Sequence, residues 1–150
     1  MTSAEVVAAI RTHRHRNRAR EAEWIFLTEL RTGTGYGRDA RCYIDAWAMH
    51  CWPSREHLRI SYEVKVSRTD FIREIRKPSK RIMAMRYSNE FYFAAPEGLL
   101  KASEMPDDCG LVEIAPDGVG VALRARYRAG AAPTWGLLAS ACRNASARDR

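Results

Sequence analysis

The stretch HLRISYEVKVSRTDF, residues 57–71, decides how the fold is read. Leu58, Ile60, Tyr62, Val64 and Val66 alternate with Arg59, Ser61, Glu63 and Lys65, the two-residue period of a strand with one face on a core. Glu63 and Lys65 therefore project together from the second face. Ser67, followed three residues later by Asp70, gives a capping-box-like helix start, and TDFIREIRK continues it with Phe71, Ile72 and Ile75 as the packing side. Pro78 breaks or bends that helix.

Upstream, RCYIDAWAM (41–49) reads as a strand, separated from 57–66 by the turn-like WPSRE in which Pro53 interrupts any ladder, so the two are expected to form an antiparallel hairpin. Before it, TGTGYG spaces glycines at 33, 35 and 37 and reads as a tight loop. The segment RAREAEWIFLTELR (18–31) has strong helix formers and a stripe of Trp24, Ile25, Phe26, Leu27 and Leu30, which predicts a helix packed on the sheet. Glu23 lies in line with Leu27 and Leu30, at the N-terminal end of that stripe, whereas Glu29 falls on another flank. Residues 3–10 (SAEVVAAI) predict a short helix with Ser3 as N-cap, and RTHRHRNRAR after it predicts a surface that is solvated or faces phosphate.

Downstream, SKRIMAMRY predicts a second helical piece and NEFYFAAP a buried strand ending at Pro96. LVEIA (111–115) and the segment from Gly120 to Arg126 flank the turn signal PDG and predict a hairpin, with a last helix from about Trp135. The 150 residues suit one domain, 1–150, with a basic N-terminal arm to about residue 18 and a flexible tail over about 143–150.

A formal charge of +7, mostly from arginine, suits a polyanionic partner. Cysteines at 42, 51, 109 and 142 form no CxxC pair, which points to reduced thiols rather than a zinc site. No run approaches 18 apolar residues and no signal segment is evident, so a soluble, cytoplasmic protein with no membrane partner is expected.

Three features converge chemically: a strand acid, Asp45; the alternating Glu63 and Lys65 of the next strand; and Glu23, placed to reach the same edge. Carboxylate oxygens hold magnesium, whose bound water attacks a phosphodiester, and a nearby lysine orients that water or offsets developing charge. A solvated strand face is the better explanation of Glu63 and Lys65 in isolation, and an ion pair with Lys65 would satisfy Asp45 within its apolar run. Arg68, Arg73, Arg76, Lys77, Lys80 and Arg81 follow as a basic stripe suited to a nucleic-acid backbone, or to solvent. Trp47, Trp52 and Tyr62 suit the core better than base stacking.

IDAW (44–47), YEVKVSRTDF (62–71), KPSKR (77–81) and NEFYFAAPEGLL (89–100) together resemble the PD-(D/E)xK, or restriction-endonuclease-like, nuclease superfamily, especially its small stand-alone members in viruses and bacteria. The resemblance spans about residues 20–115. It implies an α/β fold with an αβββαβ core, a mixed central sheet flanked by helices, and an Mg2+ (or Mn2+) dependent nuclease, more an endonuclease than an exonuclease. DNA is the implied substrate, RNA is not excluded, and a homodimer is one way to cut both strands. By position, Asp45 and Glu63 match the metal-binding acids, Lys65 the motif lysine, and Glu23 the helix acid that completes the metal site; Ile44 stands where the superfamily's name has proline.

Overall fold

A computed structural model describes residues 1–18 and 20–148. Its helices are α1 (Ser3–Arg14), α2 (Arg68–Ile75), α3 (Ser79–Arg86) and α4 (Trp135–Ala147), and its strands β1 (Trp24–Arg31), β2 (Tyr43–His50), β3 (Arg59–Val64), β4 (Glu90–Pro96), β5 (Cys109–Ala115) and β6 (Gly118–Leu123). The strands form one mixed sheet in the order β1-β2-β3-β4-β5-β6. Hairpins make β1–β2, β2–β3 and β5–β6 antiparallel, while β4 is parallel to both β3 and β5. The parallel step from β3 to β4 requires a crossover, and α2 and α3 supply it. The chain is thus α/β, a mixed sheet with helices on both faces.

Each face has its own core. Val6 and Ile10 of α1, four residues apart and fully buried, lie on Ala46, Ala48, Ile60, Tyr62, Val64 and Tyr92. On the other face Phe71 of α2, Met85 of α3 and Leu137 of α4 cover Leu27, Leu30, Ile44, Trp47, Phe91 and Phe93. Burial on both faces explains why β4 reads as a continuous apolar run. Gly110 of β5 lets β4 and the segment after β6 approach: a Cβ there would overlap the Tyr92 ring and lie 2.6 Å from the Ala125 backbone nitrogen. Gly110→Ala is expected to cost about 1–3 kcal/mol in urea unfolding, as overpacking of a filled interior does.

Two expectations for the N-terminal third are overturned. The helix expected over 18–31 is not found among the described residues: Trp24–Arg31 is a strand. Leu27 and Leu30 share a core, as they would on a helix, because Glu29 between them takes a left-handed conformation with φ 51° that resets the alternation. Opposite, Ile44 and Trp47 show the same spacing of three across Asp45. The leading helix is instead α1, longer than 3–10, and its N-cap is Thr2 rather than Ser3; Thr2 Oγ1 accepts from the Glu5 N–H at 3.2 Å while Glu5 accepts from the Thr2 N–H at 2.6 Å.

The basic arm is only partly a solvated surface. Its Arg14 Nε donates to the Tyr62 hydroxyl at 2.9 Å, and His15, 3% exposed, lies 2.7 Å from the same oxygen. Burial, with the adjacent Arg14 charge, lowers the His15 pKa to about 3 from 6.5. The unfolded chain therefore takes up a proton that the folded chain refuses, and stability should fall by about 1.4 kcal/mol per pH unit as pH drops from 6.5 towards 3. Urea midpoints across that window should show a shallower acid limb for His15→Gln.

At the C-terminal end α4 runs through Ala147, across part of the expected tail. Asn144 Nδ2 donates to the Thr28 carbonyl at 2.8 Å, and Arg148 donates to the Phe26 carbonyl at 2.6 Å, so α4 covers part of the edge left by β1. Residues 149–150 of the anticipated tail lie outside the described residues. All four cysteines are free thiols, and burial pushes Cys109 up to about 11. No helix among the described residues is long and apolar enough to cross a membrane.

Candidate active site

The register Ala46↔Tyr62, carried one step further, sets Asp45 beside Glu63 at the end of the sheet where β2 and β3 diverge. There the Val64 N–H, without a β2 carbonyl to meet, donates to Asp45 Oδ2 at 2.8 Å. The parallel ladder with β4 continues one residue longer, because the Lys65 N–H donates to the Ala94 carbonyl at 2.9 Å. That bond fixes the root of Lys65, whose Nζ lies 2.8 Å from Glu63 Oε1. Three side chains chosen for their chemistry thus meet at one place.

Two further residues join them. Lys80 of α3, expected to track a nucleic-acid backbone, puts its Nζ 2.8 Å from the same Glu63 oxygen. Glu74 of α2 reaches Lys65 with Oε2 at 3.4 Å, while its Oε1 is buried with no hydrogen-bond partner among the described residues. Glu74 was not singled out in the sequence, yet a signal existed. Asp70, Arg73, Glu74 and Lys77 follow the i, i+3, i+4, i+7 spacing of one helix face, and all line a cleft of about 390 Å3 with Lys65 and Lys80. An adjoining cleft of about 660 Å3, sharing Ser3 and Val64 with the first, is lined by Asp45, Glu29 and Arg11.

The electrostatics follow from burial and like charges. Asp45 is pushed above the ordinary carboxylate range, first by burial and then by the Glu63 charge, against the pull of the Val64 N–H, Lys80 and Lys65. Lys80 is raised: burial opposes its charge, but the contact with Glu63 and the charges of Asp45 and Glu74 outweigh it. With every group ionised, Asp45, Glu63 and Glu74 exceed Lys65 and Lys80 by one negative charge. That surplus and the orphaned Glu74 oxygen suit a cation.

Among the described residues no three His, Cys, Asp or Glu side chains are gathered closely enough to hold a metal ion between them. Asp45 and Glu63 alone fit magnesium, which is commonly held by one or two carboxylates and completed by water and substrate phosphate.

Glu23 does not belong here. It precedes β1 at the opposite end, where its carbonyl accepts from the Cys51 N–H and Trp24 pairs with His50. Six residues of extended chain, about 20 Å, separate it from Glu29. Glu29, opposite Asp45, is the β1 acid on this side.

The fold has a solved counterpart. A protein of unknown function from Silicibacter pomeroyi matches over 100% of this chain and 88% of its own, with a TM-score of 0.65 and 14% identity. At that identity the likeness shows the fold alone. No protein-family profile matches the chain, and no curated protein does.

The basic stripe divides. Arg73, Lys77 and Lys80 line the cleft. Arg68 is instead committed to Glu104 by contacts of 2.6 and 3.1 Å and to the Leu99 carbonyl, so it is a structural clamp. Arg81 buries Nη1 without a partner among the described residues, and its charge reaches the Cys109 thiol on the core side. Arg76 is exposed at the end of α2 and lines neither cleft.

Proposed function

We propose that this protein is a metal-dependent nuclease of the PD-(D/E)xK type that hydrolyses phosphodiester bonds of DNA, more as an endonuclease than an exonuclease. The observation that carries the reading is the meeting of Asp45, Glu63 and Lys65 at the end of two adjacent strands, where Lys65 lines the basic cleft, Asp45 lines the adjoining one and Glu63 is buried beside them. Asp45 and Glu63 would hold Mg2+ or Mn2+, which would supply Lewis acidity for attack of a water on the phosphodiester. Lys65, anchored through Glu63 and Glu74, donates towards that water or a phosphate oxygen and holds it in line. Lys80 holds the Glu63 carboxylate in place. Arg73 and Lys77, with Arg11 across the adjoining cleft, hold the backbone phosphates on either side.

A second reading, a nucleic-acid-binding module without turnover, is favoured by one feature: two ammonium groups already share Glu63 Oε1 and supply positive charge from within the chain. Incubating the purified protein with single-stranded, double-stranded and branched DNA and with RNA, in Mg2+, Mn2+ or chelator, separates the two. Cleavage of DNA in metal and none in chelator is the expected result. Binding to every form with no cleavage of any leaves the second reading standing.

A further inference from the structure

The cleft that holds Asp45 continues past the site. Its lining residue Arg11 is shared with a third cleft of about 700 Å3, set between the C-terminal turn of α1, the first half of β1 and the residue that follows α4. The first two clefts mix both charges, with Asp45, Glu29, Asp70 and Glu74 in their walls, whereas none of the residues lining the third is acidic. Three of them are arginines: Arg11, Arg16 and Arg148.

Phe26 of β1 brings two of these arginines together. The Arg11 guanidinium lies 4.9 Å from the centre of the Phe26 ring, while Arg148 Nη1 donates to the Phe26 carbonyl at 2.6 Å and its Nη2 to Thr28 Oγ1 at 2.9 Å. Burial, and then the Arg11 charge, lower the Arg148 pKa, as expected of two cations held close. Both residues are nevertheless exposed. Asn17 pairs through its side chain with both backbone groups of Trp24, at 2.8 and 3.0 Å, and so fixes the chain after α1 on β1 beside Arg16. Other surface arginines come with acids: Arg68 with Glu104, Arg73 with Asp70 and Arg126 with Asp108. Arg11, Arg16 and Arg148 form no ion pair among the described residues.

Guanidinium groups gathered in a groove without acids suit phosphate, because each planar fork offers several N–H donors and keeps its charge at any working pH. Phe26 pairs with Ala48, three residues from Asp45 on β2, so the arginines stand about 10 Å along the sheet from that acid. A phosphate under attack beside Asp45 is out of their reach, but one a few nucleotides away on the same strand is not. We propose that Arg11 and Arg148 clamp a backbone phosphate of the DNA strand that leaves the Asp45 and Glu63 site along α1, with Arg16 meeting the next. The clamp's place on a strand being cut rests on the nuclease reading, whereas its grip on DNA does not.

Fluorescence anisotropy with labelled single- and double-stranded DNA, in chelator and across a salt series, tests it on the full chain. The double variant Arg11→Met with Arg148→Met is expected to bind about tenfold more weakly than the wild type. Its plot of log affinity against log salt should be shallower by about 0.7 for single strands or 0.9 for duplex, the counterions of one phosphate. The losses of the two single variants should not sum to that of the double, since both grip one phosphate. Arg126→Met removes a charge that lines none of these clefts and should leave the slope as it is. Arg11→Met leaves the Arg148 contacts with β1 intact, so its weaker binding carries the test if the double variant fails to fold. Wild-type affinity and slope in the arginine variants, an equal change in Arg126→Met, no binding of DNA by the wild type, or binding lost on removing a terminal phosphate overturns the proposal. A wild type that binds without cutting, with the shallower slope in the double variant, removes the nuclease reading and leaves the clamp; cutting in Mg2+ with an unchanged slope does the reverse.

Discussion

Glu63→Gln is expected to lower DNA cleavage by at least about 10^3-fold, the scale on which loss of a central catalytic group is felt, while leaving a folded protein that still binds DNA. Glu63 is 4% exposed, and one of its oxygens serves two ammonium groups as well as the proposed metal site. Glutamine keeps the volume and removes the charge, so Lys65 and Lys80 are left facing each other without their common anion. A stability loss of about 1–3 kcal/mol in urea should accompany the loss of activity. The Lys80 ammonium, held above its ordinary pKa by this carboxylate, should titrate at lower pH, which side-chain NMR reads directly. Full activity in this variant would remove Glu63 from the reaction.

Asp45→Asn should abolish cleavage on the same scale, yet make the protein more stable. The folded state raises the Asp45 pKa, by burial and by the charge of Glu63. A folded acid with a raised pKa holds its proton where the unfolded chain has released it, so stability falls as pH rises from the ordinary aspartate value through the raised one. Above that window the ionised carboxylate is a standing cost. Asparagine removes the charge and can still accept from the Val64 N–H, which in the native protein donates to Asp45 Oδ2 at 2.8 Å. The variant should therefore melt higher at neutral pH without metal, the pattern expected where function is held at the expense of stability. Mg2+ should raise the wild-type melting temperature and leave the variant unmoved. A lower melting temperature for Asp45→Asn would mean that the carboxylate is a structural partner of Lys65 and Lys80.

Much of this site is legible in one strand and its flanks. The alternation around Glu63 and Lys65 gives β3 and its polar face, Ser67 starts α2, and the unbroken apolar run of NEFYFAAP is β4. What misleads is a local irregularity: the left-handed Glu29 produces a Leu27–Leu30 spacing that imitates a helix, and a helix there puts Glu23 at the edge that Glu29 occupies. A short apolar run does not by itself separate a strand from a helix, and a reset in alternation removes the remaining clue. The roles of the cations are hidden for another reason. Arg68, Lys80 and Arg81 look alike as a basic stripe, but their fates depend on Glu104, Glu63 and the Cys109 side of the core, partners that only tertiary packing brings near.

The central claim is that Asp45, Glu63 and Lys65 act together on a phosphodiester with a divalent ion. The most direct measurement is cleavage of labelled double- and single-stranded DNA by the wild type, Asp45→Asn and Lys65→Ala, side by side in Mg2+, Mn2+ and chelator, with DNA binding recorded for each. The account predicts metal-dependent cutting by the wild type alone, with all three proteins folded and binding DNA. Cutting at the wild-type rate by both variants, or in chelator, would contradict it.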